Sequence, residues 1–281
     1  MARMKTKDLS RLSIEEYKRQ TQMHWGTSPC GSNYSDKMFL TKDFFEEIEN
    51  HRYRSHPWIL EAIKRFNING KKVLEIGYGM GTDHLQMAKR GGLMYGLDLT
   101  PESYEVTKKR IEIYNFHSEL TIGDGEYLPY PDNHFDFVYS FGVIHHTPDT
   151  EKIVSEIHRV LKPGAGCYIT VYNKNSVFFW WNIYIINYLV KGGRKKRTLE
   201  KQLSLAEYPN TNENMVVKLY TSKEIGSLFG LFRQVNHYVR HLLPVDIAIF
   251  SRFFRDPYKP VSFLDGIGTQ LGWYIVIEAT K

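Results

Sequence analysis

The sequence has few cysteines, no long apolar run and no metal-ligand spacing. Its 281 residues include only 2 cysteines, Cys30 and Cys167, which is too few for a disulfide framework. Cys167 lies in an apolar strand pattern, which predicts a small buried thiol. No arrangement of cysteine and histidine suits a metal, so we expect no metal site. Residues 1–11 are charged and lack an apolar core, which predicts no secretory signal and a cytoplasmic protein.

The longest apolar stretch is followed directly by the densest positive charge. Residues 177–190 include Trp180 and Trp181, but their 14 positions fall short of a bilayer span. Residues 191–197 supply five positive charges to a chain of net charge +6. We expect the apolar stretch to form a buried helix or a cap over the substrate, with membrane-surface contact as the alternative. Because the charge is local, the sequence argues against nucleic acid as a partner.

Residues 73–81 combine an apolar strand with three alternating glycines. Val73 to Ile76 suit a buried parallel strand, and Gly77, Gly79 and Gly81 allow a sharp turn that a ligand can approach closely. Asp98 ends the next apolar stretch about twenty residues later, where a carboxylate can accept both hydroxyls of a ribose. The pattern predicts a nucleoside-containing cofactor at the carboxyl ends of a parallel sheet.

The glycine spacing distinguishes between classes of cofactor. The dinucleotide pattern G-x-G-x-x-G would need a further glycine where Thr82 or His84 stands. The observed spacing, preceded by Glu75, resembles the E-x-G-x-G-x-G motif of class I S-adenosylmethionine-dependent methyltransferases. Three later segments are also similar to that family, in order: G-D-G-E at 123–126, F-D-F-V-Y-S at 135–140 and E-I-H-R-V-L-K-P-G at 156–164. The resemblance extends over residues 73–172.

The resemblance implies a fold, a cofactor and a set of contacts. It implies an α/β, doubly wound, seven-stranded, mostly parallel sheet that binds S-adenosyl-L-methionine. Asp98 would bind the ribose and Asp124 the adenine amino group, whereas Glu75 has the alternative of binding backbone amides below the turn. The expected cofactor-binding residues are Glu75, Gly77, Gly79, Gly81, Asp98, Leu99, Asp124, Gly125, Glu126 and Ser140.

Residues 1–70 are expected to form a helical lid before a core at 71–281. Helices are predicted at 14–22, from Thr41 to 49 and from Pro57 to 66, with a loop at 25–32. The resemblance implies that Trp25, Arg52 and Tyr53 contact the methionine carboxylate or the substrate. Trp180 and Trp181 would join them from an insertion at about 174–215. The alternative for the Arg-Tyr pair is a solvated face with one packed ring.

His145 and His146 are the candidate catalytic residues. They follow the fourth predicted strand, where the transferable methyl should lie, and a histidine can remove a proton near neutral pH. The alternative is that one ring packs beneath the following helix. Tyr130 and Tyr172 are further candidates at this rim, or walls of the pocket. An amine that is already neutral would need no base.

The last part of the chain predicts how the sheet closes. Thr221 and Glu224 form a capping-box pattern for a helix through Phe232. Strand-like stretches at 235–240 and 272–279 would form an antiparallel closing hairpin, and residues 241–271 between them would be a second excursion towards the substrate.

The sequence therefore predicts a methyltransferase that acts on oxygen or nitrogen of a small organic acceptor. Natural-product biosynthesis is the leading biological setting. Three alternatives remain open. The acceptor could be lipid or quinone-like at a membrane surface, the enzyme could be directed to nucleic acid, or the chain could bind the cofactor without transferring methyl. The sequence leaves the oligomeric state open.

Overall fold

A computed structural model describes residues 13–27, 31–208 and 215–281. The strands in these ranges are β1 (Lys72–Ile76), β2 (Leu93–Asp98), β3 (Ser118–Ile122), β4 (Phe135–Phe141), β5 (Leu161–Asn173), β6 (Leu219–Tyr220), β7 (Gln234–Arg240) and β8 (Tyr274–Thr280). The α-helices are α1 (Ile14–Thr27), α2 (Lys42–Ser55), α3 (Pro57–Arg65), α4 (Thr82–Lys89), α5 (Pro101–Ile113), α6 (Thr150–Val160), α7 (Leu199–Glu207), α8 (Ser222–Leu228) and α9 (Ser262–Leu271). A π-helix, here called the aromatic helix, covers Phe178–Val190.

Eight strands of the described ranges form one sheet in the order β3-β2-β1-β4-β5-β8-β7, with the short β6 beside β5. The pairings from β1 to β6 are parallel, whereas β8 is antiparallel to both β5 and β7. The seven long strands, the mostly parallel sheet and the closing hairpin are confirmed. Buried parallel strands are apolar along their whole length because helices cover both faces.

The order of the strands fixes the position of a ligand crevice. After β1 the chain moves to β2 on one side, and it later returns to place β4 on the other side. In open α/β sheets the loops that leave such a switch point separate, so a crevice opens at the carboxyl ends of the strands. The glycine turn at 77–81 leaves β1 at this point. The topology therefore places the predicted binding motif at the crevice.

Helices from the first part of the chain pack on the core and across this edge. Ile59 and Ile63 of α3 are fully buried in one cluster with Val73 and Tyr139 of the sheet. Thr41 caps α2 as predicted, because its hydroxyl accepts a hydrogen bond from the Phe44 amide at 3.3 Å. Helix α2 continues to Ser55, beyond the predicted end.

Helix α1 is longer than predicted. It continues to Thr27, so Trp25 is helical rather than part of a loop. The Trp25 ring packs 5.2 Å from the Tyr208 ring and 6.2 Å from the His146 ring, and these contacts extend the helix beyond its local pattern. Cys30 and the rest of residues 28–30 in the predicted loop lie outside the described residues.

The predictions for Cys167 and Thr221 are met in part. Cys167 is buried in β5, and burial raises the pKa of its thiol to about 12. The capping box of Thr221 and Glu224 is present, but α8 ends at Leu228 instead of Phe232. The chain turns there because the Phe232 amide bonds the Phe229 carbonyl at 2.9 Å.

The aromatic helix forms part of an outer layer beside β5 and β8. Phe179 and Ile183 are buried in a cluster with Tyr172 and Trp273. Trp180 and Trp181 instead lie on the outer face, with 46% and 37% of their surfaces exposed. The sequence predicts a buried helix or a cap over the substrate; the helix is buried on one face only, and its other face carries aromatic side chains into solvent. Within the described ranges, no helix combines the length and the apolar character that crossing a membrane requires.

Candidate active site

The glycine turn has the backbone conformation that glycine allows and other residues disfavour. The φ angles of Gly77, Gly79 and Gly81 are 76°, 52° and 69°. A Cβ on Gly77 would lie 2.2 Å from a methyl of Val143, and one on Gly81 would lie 2.8 Å from Thr107. A Cβ on Gly79 would meet nothing within 4 Å. Packing therefore requires two of the glycines, and the third borders open space that a ligand can enter.

Asp98 holds this turn against the end of β2. One carboxylate oxygen accepts the Gly79 amide at 3.0 Å, and the other accepts the amide and the hydroxyl of Thr100, each at 3.0 Å. Burial raises the pKa of the Asp98 carboxyl, against the effect of these donors. The oxygen that accepts only Gly79 keeps capacity for another donor. Asp98 is thus placed to bind a hydroxyl beside the open glycine.

The segment after β3 carries a second polar site. Asp124 accepts the Glu126 amide at 2.9 Å, and Glu126 in turn accepts the Asp149 amide at 2.8 Å. The Lys18 ammonium of α1 bonds both carboxylates, each at 2.5 Å. Burial alone would lower the pKa of Lys18. The two carboxylates have the larger effect, so the pKa is raised above its usual value. Gly125 is needed for packing, because a Cβ there would lie 2.5 Å from Ile153.

Helix α1 is bonded to the loops that follow three different strands. Besides the Lys18 pair, Gln22 donates to the Leu99 carbonyl at 2.9 Å, and the Tyr17 hydroxyl donates to the His146 carbonyl at 2.6 Å. Asp124 and Glu126 follow β3, Leu99 follows β2, and His146 follows β4. Helix α1 therefore lies across the crevice at the carboxyl edge of the sheet.

Two predicted cofactor-binding residues have structural contacts. The Glu75 carboxylate faces His84 at 2.8 Å beneath the turn, and the Ser140 hydroxyl donates to the Ile76 carbonyl at 3.0 Å. Burial raises the pKa of Glu75. Both side chains are thus oriented within the core, and Glu75 bonds the His84 ring rather than the backbone amides that the alternative named. Their direct contact with a cofactor remains a prediction.

Arg52 and Tyr53 converge on an acidic residue that sequence reasoning missed. Asp83, at the start of α4, accepts hydrogen bonds from both Arg52 nitrogens that face it, from Tyr53 at 2.9 Å and from Tyr139 at 2.6 Å. Burial alone would raise the pKa of Asp83, but the guanidinium and the hydroxyls hold it below its usual range. The Arg52 guanidinium also lies 4.6 Å from the centre of the Phe141 ring. Arg52 is therefore held in one orientation beside the glycine turn.

The two candidate catalytic histidines differ in their surroundings. His145 is fully buried, and neither ring nitrogen has a hydrogen-bond partner among the described residues. Burial holds its pKa well below the usual range. Nδ1 of His146 lies 3.1 Å from the Val216 carbonyl and 2.9 Å from the Tyr208 hydroxyl, and burial lowers the pKa of His146 to about 4. Both rings are consequently neutral at pH 7.

A wall of aromatic rings continues from these histidines. The Tyr172 ring is 4.0 Å from the His145 ring, and its hydroxyl donates to Glu207 at 2.7 Å. Trp25 and Tyr208 complete this part of the edge, as described for α1. Trp180 and Trp181 are not brought to it, because the Trp181 indole donates to the Ala248 carbonyl on the outer face at 3.1 Å.

We predict that the glycines of the turn differ in their effect on stability. Gly77→Ala should lower the free energy of unfolding by about 3 kcal/mol, because the methyl adds overpacking to backbone strain. Gly79→Ala should lower it by about 1 kcal/mol, since only the backbone conformation is unfavourable. Urea unfolding measures both. Equal losses would show that the packing assigned to Gly77 is wrong.

Comparison with known proteins agrees with this geometry. Residues 74–169 match the family model described as a methyltransferase domain. Phosphoethanolamine N-methyltransferase 2 of Caenorhabditis elegans is 37% identical over 119 residues, which are 41% of this chain and 27% of that protein. Demethylmenaquinone methyltransferase of Geobacillus stearothermophilus is 32% identical over 120 residues, which are 40% of this chain and 51% of that protein. The matches thus span between about a quarter and a half of those relatives.

Solved structures extend the likeness to most of the chain. The crystal structure of an S-adenosylmethionine-dependent methyltransferase from Thermotoga maritima superimposes with a TM-score of 0.53 at 20% identity. It covers 85% of this chain and 95% of that one, which shows a shared fold. Taken with the motifs and the open glycine turn, these matches show the class I methyltransferase fold, and residues 74–169 are similar to the methyltransferase domain family, for which S-adenosylmethionine is the expected cofactor.

Proposed function

We propose that this protein transfers a methyl group from S-adenosylmethionine to oxygen or nitrogen of a small organic acceptor. The observation that carries the proposal is the open space at Gly79, bordered by Asp98 within the matched domain. A bare backbone beside a carboxylate at the end of a strand suits an adenosyl group. Natural-product biosynthesis is the setting we favour, and we place the enzyme in the cytoplasm.

The residues at the edge fit the parts of this cofactor. Asp98 would bind the ribose hydroxyls with its remaining acceptor capacity, and Leu99 and Asp124 would border the adenine. Lys18 holds Asp124 now, so the adenine amino group would share or replace that bond. Arg52, fixed by Asp83, would face the methionine carboxylate. We further propose that residues 1–70 act as a lid on a core at 71–281 with an insertion at about 174–215.

The chain itself has a limited chemical task. When bound, the cofactor supplies a methyl group on a positively charged sulfur, which is an excellent leaving group. The protein must then align the acceptor and exclude water. Helix α1 serves both purposes, since its bonds to Leu99, Asp124 and His146 close the edge.

An acceptor that carries a proton requires a group to remove it. If Nδ1 of His146 keeps its hydrogen for the Val216 carbonyl, Nε2 carries the lone pair that a base needs. We therefore propose His146, with His145 as the second candidate, for this role when the acceptor is a hydroxyl group. The named relatives include a phosphoethanolamine and a demethylmenaquinone methyltransferase, so relatives differ in the acceptor their names specify.

We predict that Asp98→Ala weakens binding of S-adenosylmethionine and of S-adenosylhomocysteine by about tenfold to a hundredfold, the effect of losing hydrogen bonds to a charged group. Isothermal titration calorimetry measures the affinity. Glu105→Ala, on the exposed side of α5, is the control and should leave the affinity unchanged. Affinity within twofold of wild type in a folded Asp98→Ala protein would refute the ribose contact.

A specific observation favours a second candidate, a methyltransferase for a lipid or quinone-like acceptor at a membrane surface. Trp180 and Trp181 expose aromatic surface on the aromatic helix, which ends directly before the basic residues 191–197. Among the described residues, no acidic side chain forms a salt bridge with that basic segment. Aromatic side chains beside unpaired cations suit the interface of an anionic bilayer.

We predict, under this candidate, that the protein sediments with vesicles containing anionic phosphatidylserine and not with purely zwitterionic vesicles. Lys195→Gln with Lys196→Gln should reduce binding by about tenfold or more, since each basic residue near the surface contributes about 1 kcal/mol. The matched control is Lys108→Gln with Lys109→Gln on α5. Equal losses in both double variants would show a general charge effect and reject the docking surface.

A further inference from the structure

Glu207 is a carboxylate beside Tyr172 that has no cationic partner within the described part of the chain. It ends α7 and accepts the Tyr172 hydroxyl at 2.7 Å. Among the described residues, no lysine, arginine or histidine forms a salt bridge with it. Its side chain is half-buried, yet burial raises its pKa to about 7. Part of the Glu207 side chain therefore remains accessible to a ligand.

The position of Glu207 connects it to the edge that holds the transferable group. Tyr172 is near the carboxyl end of β5, and its ring stacks on the Trp273 ring at 4.3 Å. The Tyr172 ring also lies 4.0 Å from the ring of His145, in the segment after β4. Tyr208, the next residue after Glu207, bonds His146 at 2.9 Å. Glu207 is therefore linked to His145 through the Tyr172 ring and to His146 through the adjacent residue, Tyr208.

His145 gives a second, independent sign that a polar ligand group belongs here. Its two nitrogens are buried and lack partners among the described residues, although a neutral imidazole has one donor and one acceptor to satisfy. Leaving such groups unpaired costs free energy. An unpaired carboxylate among rings carries a similar cost unless a cation accompanies it. Both costs are relieved by a ligand with a positively charged, hydrogen-bonding head.

We propose that Glu207 binds the protonated amine of the acceptor, so that the atom methylated by this enzyme is nitrogen. The inference rests on the proposed methyltransferase function and specifies its acceptor class. Tyr172, Trp25 and Tyr208 offer ring faces and edges of the kind that surround ammonium groups. The histidines add no competing positive charge, since both are neutral at pH 7.

The same carboxylate can prepare the amine for methylation. An ammonium has no lone pair, so one N–H proton must leave before nitrogen can attack. Glu207 takes that proton, which converts R–NH3⁺ and the carboxylate into R–NH2 and the carboxylic acid. The nitrogen then forms the new N–C bond as the S–C bond breaks, the secondary ammonium leaves as the product, and the protonated Glu207 returns its proton to solvent. Because its pKa is near neutrality, Glu207 can both accept this proton and release it again.

Calorimetry with matched neutral and cationic probes tests the proposal. Benzylamine and benzyl alcohol are titrated into the protein saturated with S-adenosylhomocysteine. We expect benzylamine to bind at least tenfold more tightly than the alcohol, and Glu207→Gln to abolish that difference. Glu200→Gln, an exposed carboxylate on the same helix, should preserve it. Tyr172→Phe, which leaves the carboxylate in place, should reduce the preference only partly.

The outcomes are decisive in each case. If the amine binds no more tightly than the alcohol, or if the preference survives Glu207→Gln, the proposal is overturned. Glu207→Gln should leave the affinity for S-adenosylhomocysteine unchanged, so a failure of cofactor binding in the wild-type protein would reject the proposed function separately. The variant should also melt at a higher temperature than wild type at pH 8, because it removes a carboxylate whose raised pKa disfavours the folded state there. A lower melting temperature would indicate a structural role instead.

Discussion

The hydrogen bond from the Gly79 amide to the Asp98 carboxylate fixes the geometry on which the rest of the site depends. It joins the turn after β1 to the end of β2 at 3.0 Å, next to the only position of the glycine turn where a Cβ would meet no neighbour. The strand order opens a crevice at this point. The hydrogen bond places Gly79 and Asp98 side by side at the border of that crevice. The remaining loops are arranged around that edge, each contributing one or two polar groups.

Helix α1 connects these separate loops through hydrogen bonds. Lys18, Gln22 and Tyr17 reach the segments after β3, β2 and β4, so movement of one helix would alter the proposed adenine, ribose and acceptor ends together. A partly buried ammonium between two carboxylates is costly to separate unless another donor replaces it. The adenine amino group is such a donor, which gives a physical reason for cofactor binding and helix position to be coupled.

The parts that the sequence predicted are those determined by neighbouring residues. The glycine spacing, the carboxylate at the end of β2 and the capping residues Thr41 and Thr221 act over a few positions, and the structure has them in place. The parts that it missed depend on distant pairs. Lys18 lies 106 residues from Asp124, and nothing in its own surroundings marks it as a site residue.

Three other differences have the same origin. Asp83 follows the glycine turn closely, but its role appears only when Arg52, Tyr53 and Tyr139 are brought to it from two other elements. The aromatic helix is apolar on nearly every side, so its pattern could not show that Trp180 and Trp181 face outward. Glu207 ends an ordinary amphipathic helix, and only the fold places it against Tyr172.

The central claim is that the open turn beside Asp98 receives an adenosyl group. A crystal structure of the protein grown with S-adenosylhomocysteine tests it most directly. The account predicts density for the ribose within hydrogen-bond distance of Asp98, with the backbone of Gly79 against the ligand. Density for the ligand elsewhere, or a turn without ligand at saturating concentration, would contradict it.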